Sequence, residues 1–421
     1  MMLYTYYGDD FTGSTDVLET LALAGVKAAL FLSPPGPAEL AEFPGLQAIG
    51  IAGDSRSRSP EWMSANVGGI FSTMKAFGAP VTHYKTCSTF DSAPHIGNVG
   101  RALELGIEAF GARFVPIVVG APHLGRYVVF GNLFATAGGI PYRIDRHPTM
   151  SQHPVTPMLE ADLRRHLALQ TTLPIALVDL RNLSRRGLDA ALSDGAAAVL
   201  FDTFDDASLK VVGGLLWETA RTKQLFAVGS SGLTESLIPA WRAERLIGNA
   251  PTPAKVHAVD QIVVLSGSCS PVTEAQIDWG MRHGFEGFAL EPAALIRDPA
   301  EPIDRVLRCI STGASPILYT AKGPLASNMT PHSEELGIAM GRLLRAILEQ
   351  SDVRRVVLCG GDTSSHAVQQ LPIRALTWTA ALVRGAPLCR AHAAGTRFDG
   401  LELVLKGGQV GAEDFFGVAK G

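Results

Sequence analysis

Short apolar runs recur along the chain, each followed by a stretch with the apolar spacing of a helix. Runs at 3–7, 28–32, 46–51, 81–85, 114–120, 175–179, 198–202 and 225–228 predict strands. The intervening spacing predicts helices over 15–24, 60–77, 99–110, 157–170 and 207–222. Continuous apolar runs mark strands buried on both faces, and their alternation with helices predicts parallel sheets. Residues 249–258, NAPTPAKVHA, interrupt the pattern with two prolines and small residues and read as a linker. Beyond it the alternation restarts, with strands over 261–265, 287–290, 316–319, 355–358 and 401–405. Helices are expected over 271–283, 302–311, 331–349 and 364–371. The fold class expected is α/β: two domains with mainly parallel sheets, residues 1–250 and 251–421. An active site is expected in the cleft between them.

Composition narrows the function. The 421 residues are 47% hydrophobic and 18% charged, enough for large cores and more than one domain. Lys and Arg number 36 against 40 Asp and Glu, a formal net charge of −4, with no dense basic stretch. Nucleic acid is therefore not an expected partner. No window supplies the roughly 20 apolar residues of a membrane span, and the opening MMLYTYYGDD lacks the basic region of a signal peptide. The five cysteines are widely spaced without a CxxC pair, which suits reduced thiols and a cytoplasmic location.

In open α/β sheets ligands bind beyond the carboxyl ends of strands, so residues just after each expected strand matter most. The first such loop is GDDFTGSTD, residues 8–16. Asp9 and Asp10 with two glycines and three hydroxyls exceed what one helix cap needs, and can hold a metal, accept substrate hydroxyls or act as a base. The loop GDSRSR follows the strand ending near 51, where Arg56 suits a two-pronged grip on a carboxylate; the plainer reading is a surface ion pair. The third, HYKTCST, brings Lys85, Ser88 and Thr89 to a strand end, where lysine can bind an anionic oxygen or snorkel to the surface. Cys87, with no identifiable base, reads as a small buried hydrophobe rather than a nucleophile.

The second half repeats one arrangement three times. LSGSCSP carries Ser266 and Ser268 into a helix, CGGDTSS carries Gly360, Gly361, Asp362 and Thr363, and KGGQVG carries Gly407 and Gly408. Small residues let backbone N–H groups approach phosphates, and a helix N-terminus favours negative charge. Three such loops in one domain point to a polyphosphate site. No GxxxxGK[ST], GxGxxG after the first strand, HExxH or GxSxG is present. His147 and His153, six residues apart beside prolines, fit ordinary loop packing better than a metal pair.

Taken together, the strings DDFTGSTD, GDSRSR, YKTCST, HPVTPMLEADLRRHL, GSSGL, SGSCSPVTEAQI, GGDTS and LKGGQVG resemble the four-carbon acid sugar kinase family over nearly the whole chain. The resemblance implies a sugar-acid-binding N-terminal half and an ATP-binding C-terminal half. It implies that Asp9, Asp10, Arg56, Lys85, Ser88 and Thr89 contact the acid. It implies that Ser266, Ser268, Gly360, Gly361, Asp362, Thr363, Gly407 and Gly408 serve ATP. Mg²⁺ would bridge the phosphates, and Asp10 or Asp362 would be the base. No metal ligands are assigned, and a homodimer is left open. The chain departs from the family pattern K-x-DSTLRGN, reading KTCSTFDSAPHIGN from Lys85 to Asn98. An aspartate becomes Cys87 and the Leu-Arg pair is lost. This points away from threonate and erythronate toward a branched or keto acid of similar size, such as 3-oxo-isoapionate or a 3-oxo-tetronate. The rival readings are a metal-dependent sugar-acid lyase or aldolase using Asp9 and Asp10, and a non-catalytic sensor of sugar acid and ATP.

Overall fold

The computed structural model describes residues 1–153, 155–252, 254–323 and 334–421. Pro154, Pro253 and residues 331–333 of the helix expected over 331–349 lie outside the described residues. The chain forms two compact units. The first comprises Met1–Asp9, Thr20–Ala28 and Pro34–Pro251; the second comprises Asp10–Glu19, Ala29–Ser33 and Thr252–Gly421. The first of the chain's passages from one unit to the other falls at the peptide bond joining Asp9 to Asp10.

Strands run in chain order β1 (Tyr4–Gly8), β2 (Ala28–Phe31), β3 (Ala48–Ala52), β4 (Val81–Lys85) and β5 (Val115–Val118). They continue as β6 (Arg126–Val129), β7 (Asn132–Ala137), β8 (Ile140–Arg143), β9 (Ile175–Val178), β10 (Ala198–Phe201) and β11 (Leu225–Gly229). The first unit's main sheet has the order β3-β1-β4-β11-β5-β10-β9 and is parallel throughout. All residues of β1, β3, β4 and β11 are buried, as continuous apolar runs require. One face packs around Phe71, whose ring meets those of Tyr7, Tyr84 and Phe226 at 6.2, 6.0 and 4.9 Å. Strands β6, β7 and β8 form a separate antiparallel sheet that the apolar pattern does not announce.

In the second unit the strands are β12 (Val263–Ser266), β13 (Phe285–Ala289), β14 (Ser315–Tyr319), β15 (Arg355–Cys359), β16 (Ala375–Val383), β17 (Ala386–His392) and β18 (Glu402–Lys406). Their order is β13-β14-β12-β15-β18-β17-β16, parallel from β13 to β18 and antiparallel thereafter. Leu30 and Phe31 of β2 add to β16 in antiparallel register.

The helices that matter below are α1 (Phe11–Leu23), α2 (Pro271–Arg282) and α3 (Gly361–Val368). The helix expected over 157–170 is a correction: only Leu163–Leu167 is helical. Asp162 caps it by accepting from Arg164 N. The preceding backbone is spent elsewhere, Met158 N donating to Met150 O and Leu133 N to Ala161 O. Among the described residues no helix is long and apolar enough to cross a membrane.

Candidate active site

In the first unit, parallel register aligns the carboxyl ends of neighbouring strands: Gly8 stands opposite Ala52 and Lys85, and Lys85 opposite Gly229. The loops leaving these tips are knitted by their backbones. Asp9 N donates to Lys85 O (2.9 Å), Arg56 N to Asp9 O (3.1 Å), and Thr86 N to Gly229 O (2.7 Å). Arg56 rides on a 3₁₀ turn, Ser55–Ser57, whose Ser55 Oγ lies 2.9 Å from the buried Tyr84 hydroxyl. Core packing therefore sets where Arg56 points.

Both arginines of this loop are engaged. Arg58 pairs with Asp54 at 2.5 Å, and Arg56 Nη2 donates to both oxygens of Asp91 at 2.8 and 2.7 Å. Asp91 also accepts from Thr89 Oγ1 (2.5 Å) and Thr156 Oγ1 (3.3 Å). Burial alone would raise this carboxyl. The charges of Arg56 and His153 and the hydrogen bonds from Thr89 and Arg56 outweigh it and hold Asp91 well below the usual carboxylate range. Phe90, fully buried between these two residues, sits at φ 56°, a left-handed backbone costly for a bulky side chain.

Lys85 differs from the arginines. It is 2% exposed, its Nζ donates to Thr86 O at 2.7 Å, and among the described residues no carboxylate pairs with it. An ammonium has three donors, and a buried one with donors to spare favours an anion beside it. Ser88 and Thr89 are buried in the same loop.

In the second unit the register repeats the device: Ser266, Cys359 and Lys406 end three adjacent parallel strands side by side. The three glycine-rich loops therefore leave neighbouring tips, with Gly267 N bonded to Cys359 O and Gly360 N to Lys406 O. Gly360 turns the chain at φ 108°, a conformation open to glycine, and α3 begins at the next residue without a side-chain cap on its first amides. Ser268 is buried and its Oγ accepts from Ser270 N, which opens α2 with Pro271 in its first turn. A Cβ on Gly408 would come 2.7 Å from Ser268 Oγ and 3.1 Å from Ser270 Cβ, so a side chain here would crowd the turn. Thr363 is buried on α3 while Asp362, in the first turn, is exposed. The donor set and the open cradle fit a nucleotide's phosphates. No trio of His, Cys, Asp or Glu converges among the described residues.

The adjacent aspartates part company. Asp9 belongs to the first unit's backbone network. Asp10 caps α1 in the second unit, its carboxylate accepting from Gly13 N (2.5 Å) and Thr12 Oγ1 (3.0 Å). Phe11 N donates to Ser365 Oγ on α3 (3.1 Å), and a Cβ on Gly361 would fall 2.9 Å from Asp10 Oδ2. The structure thus gathers Asp9, Arg56, Lys85, Ser88 and Thr89 in one unit. It gathers Asp10, Ser266, Ser268, Gly360, Gly361, Asp362, Thr363, Gly407 and Gly408 in the other. Asp91, the partner of Arg56 and Thr89, and Thr156, which donates to Asp91, escaped sequence reading, as did Thr273 of α2.

A buried ammonium with no carboxylate partner among the described residues suits a small anion in one unit, and the glycine-rich turns at adjacent strand tips suit phosphates in the other. Comparison with known proteins makes this specific. Residues 4–237 match the model of a sugar-binding N-terminal domain and residues 263–416 that of a nucleotide-binding C-terminal domain. The chain is 44% identical to a 3-oxo-isoapionate kinase of Paraburkholderia graminis, over 100% of this chain and 94% of that one. It is 31% identical to a 3-oxo-tetronate kinase of Methylobacterium radiotolerans, over 98% and 97%. A Haemophilus influenzae protein of a family without assigned function shares the fold, with a TM-score of 0.70 and 22% identity over 99% of both chains. The chain belongs to the four-carbon acid sugar kinase family and is an ATP-using sugar-acid kinase.

Proposed function

We propose that this enzyme transfers the γ-phosphoryl group of ATP to a hydroxyl of a 3-oxo sugar acid, with 3-oxo-isoapionate or a closely similar branched acid as its substrate. The observation that carries the reading is Lys85, a buried ammonium at a strand tip with no carboxylate partner among the described residues. Its relatives named for 3-oxo acids, and the replacement of the family's aspartate by Cys87, support the choice of acid.

In this reading Lys85 holds the acid's carboxylate, and Arg56 and Thr89, fixed by Asp91, with Ser88 and Asp9, hold its oxygens. Amides around Ser268, Gly360, Gly361, Thr363, Gly407 and Gly408, with the Ser266 hydroxyl, receive the phosphates. Mg²⁺, when bound, neutralises phosphate charge, and the exposed Asp362 orients it. Asp10 is buried and held by two hydrogen bonds, and it takes the proton of the attacking hydroxyl. None of the five cysteines forms a disulfide, which supports a cytoplasmic location.

The test is ADP release from Mg²⁺-ATP with a panel of four- and five-carbon acids and their 3-oxo forms. Release that depends on a 3-oxo acid and vanishes in Lys85→Met supports the reading. Turnover of D-threonate as fast as any 3-oxo acid would sink the substrate assignment.

A further inference from the structure

Lys406 ends β18, and like Lys85 it is a buried lysine at a central strand tip, with no exposed surface. Its Nζ donates to Thr273 Oγ1 and to Gly407 O, each at 3.0 Å. It stands 5.7 Å from the centroid of the Phe415 ring. Among the described residues no carboxylate neutralises it. Burying an ammonium without a counter-charge is costly, and a buried residue serving only to fill space would be apolar. Burial pulls this ammonium below the ordinary lysine range, with Cys359 on the adjacent strand acting in the opposite direction.

What it touches gives the charge a use. Thr273 Oγ1, accepting from Lys406, donates in turn to Gly408 O at 2.9 Å. One helical turn further along α2, Gln276 Nε2 donates to Val410 O (3.0 Å) and Ala412 O (2.9 Å). The last glycine loop is therefore hung by its carbonyls from α2, and Lys406 holds the first two of those carbonyls, one directly and one through Thr273. The carbonyls of Gly407, Gly408, Val410 and Ala412 are thus held from behind, and a Cβ on Gly408 would fall 2.7 Å from Ser268 Oγ.

We infer that Lys406 is a positioning residue for ATP: with Thr273 it fixes the Gly407-Gly408 turn against α2 and sets a positive charge behind the phosphate-facing amides. This rests on the reading of Gly407 and Gly408 as nucleotide contacts. It adds two residues to the site, neither of which needs to touch the nucleotide.

The test compares Lys406→Met, Lys406→Arg and Thr273→Val with wild type by calorimetric ATP titration and by separate KM values for ATP and the acid. A hydrogen bond from a charged donor predicts that Lys406→Met weakens ATP binding about tenfold or more. The KM for the acid should stay within about twofold, a split that general destabilisation does not produce. Lys406→Arg should recover most of the loss, and Thr273→Val should weaken ATP about threefold. Folded Lys406→Met with wild-type ATP affinity would overturn the inference, as would Lys406→Arg as defective as the methionine variant. If Lys406→Met does not fold, Thr273→Val decides: ATP affinity equal to wild type overturns the inference. A wild-type chain that binds no ATP would instead overturn the nucleotide site itself, and this inference with it.

Discussion

Arg56 and Asp91, 35 positions apart, form a two-pronged pair in which one guanidinium nitrogen reaches both carboxylate oxygens at 2.8 and 2.7 Å. In the proposed reading the pair supports the acid site. The Asp91 side chain is fully buried and that of Arg56 20% exposed, so removing one partner strands a charge. Asp91→Asn should cost about 3–5 kcal/mol of stability and raise the KM for the acid, with the KM for ATP unchanged. Denaturant melts and steady-state kinetics on the same preparation check both. Replacing both members by apolar residues should recover stability but not acid binding.

In the proposed reading Lys85 carries the anion-binding role, so its loss should be selective. Lys85→Met should weaken acid binding by about 100-fold, because a charge-assisted contact in a buried site is lost. ATP affinity should hold at the wild-type value. Calorimetric titration of each ligand separates the two, and equal losses for both would mean that the unit had unfolded.

The two candidate bases should behave differently. Asp10→Asn should lower kcat by about 10²–10⁴ with little change in ATP affinity, as removal of a proton acceptor does. Asp362→Asn should chiefly raise the Mg²⁺ concentration needed for half-maximal rate. Mg²⁺ titrations of the initial rate in both variants distinguish them, and a reversed pattern would exchange the roles.

Two buried histidines predict acid sensitivity. His83 bonds the Tyr4 hydroxyl (2.7 Å) and Gly229 O (3.0 Å), and burial pulls its pKa down to about 3, with the Gly229 bond acting against this and Lys85 adding to it. Burial likewise pulls His166 down to about 4, against the opposing charges of Asp91 and Glu160. Both are neutral in the fold, while the unfolded chain takes up a proton on each near pH 6.5. Their contribution is therefore intact above pH 6.5 and declines as pH falls toward 4. The slope is about 1.4 kcal/mol per pH unit per histidine. Melts between pH 4 and 7 measure it, and His83→Gln should remove about half the slope.

Much of the architecture was legible because the central strands are buried on both faces and so appear as unbroken apolar runs. The 372–400 region was not: β16 and β17 are partly exposed, mix apolar and polar residues, and reverse at Gly385 with φ 81°. The helix expected over 157–170 failed because hydrogen bonds from distant backbone hold the 158–161 stretch. Candidate site loops could be picked out by residue type at strand ends. What could not be read was pairing across the chain: that Asp91 would secure Arg56, or that Asp9 and Asp10 would join different networks. Lys406 was visible in its loop, but its complete burial and its bond to Thr273, 133 positions away, belong to the fold.

The most direct measurement is phosphorus NMR of one reaction containing Mg²⁺-ATP, 3-oxo-isoapionate, a 3-oxo-tetronate, D-threonate and D-erythronate. The account predicts ADP and an equal amount of a single phosphate monoester, formed on a 3-oxo acid. Inorganic phosphate in place of the ester, or an ester formed first on threonate or erythronate, would contradict it.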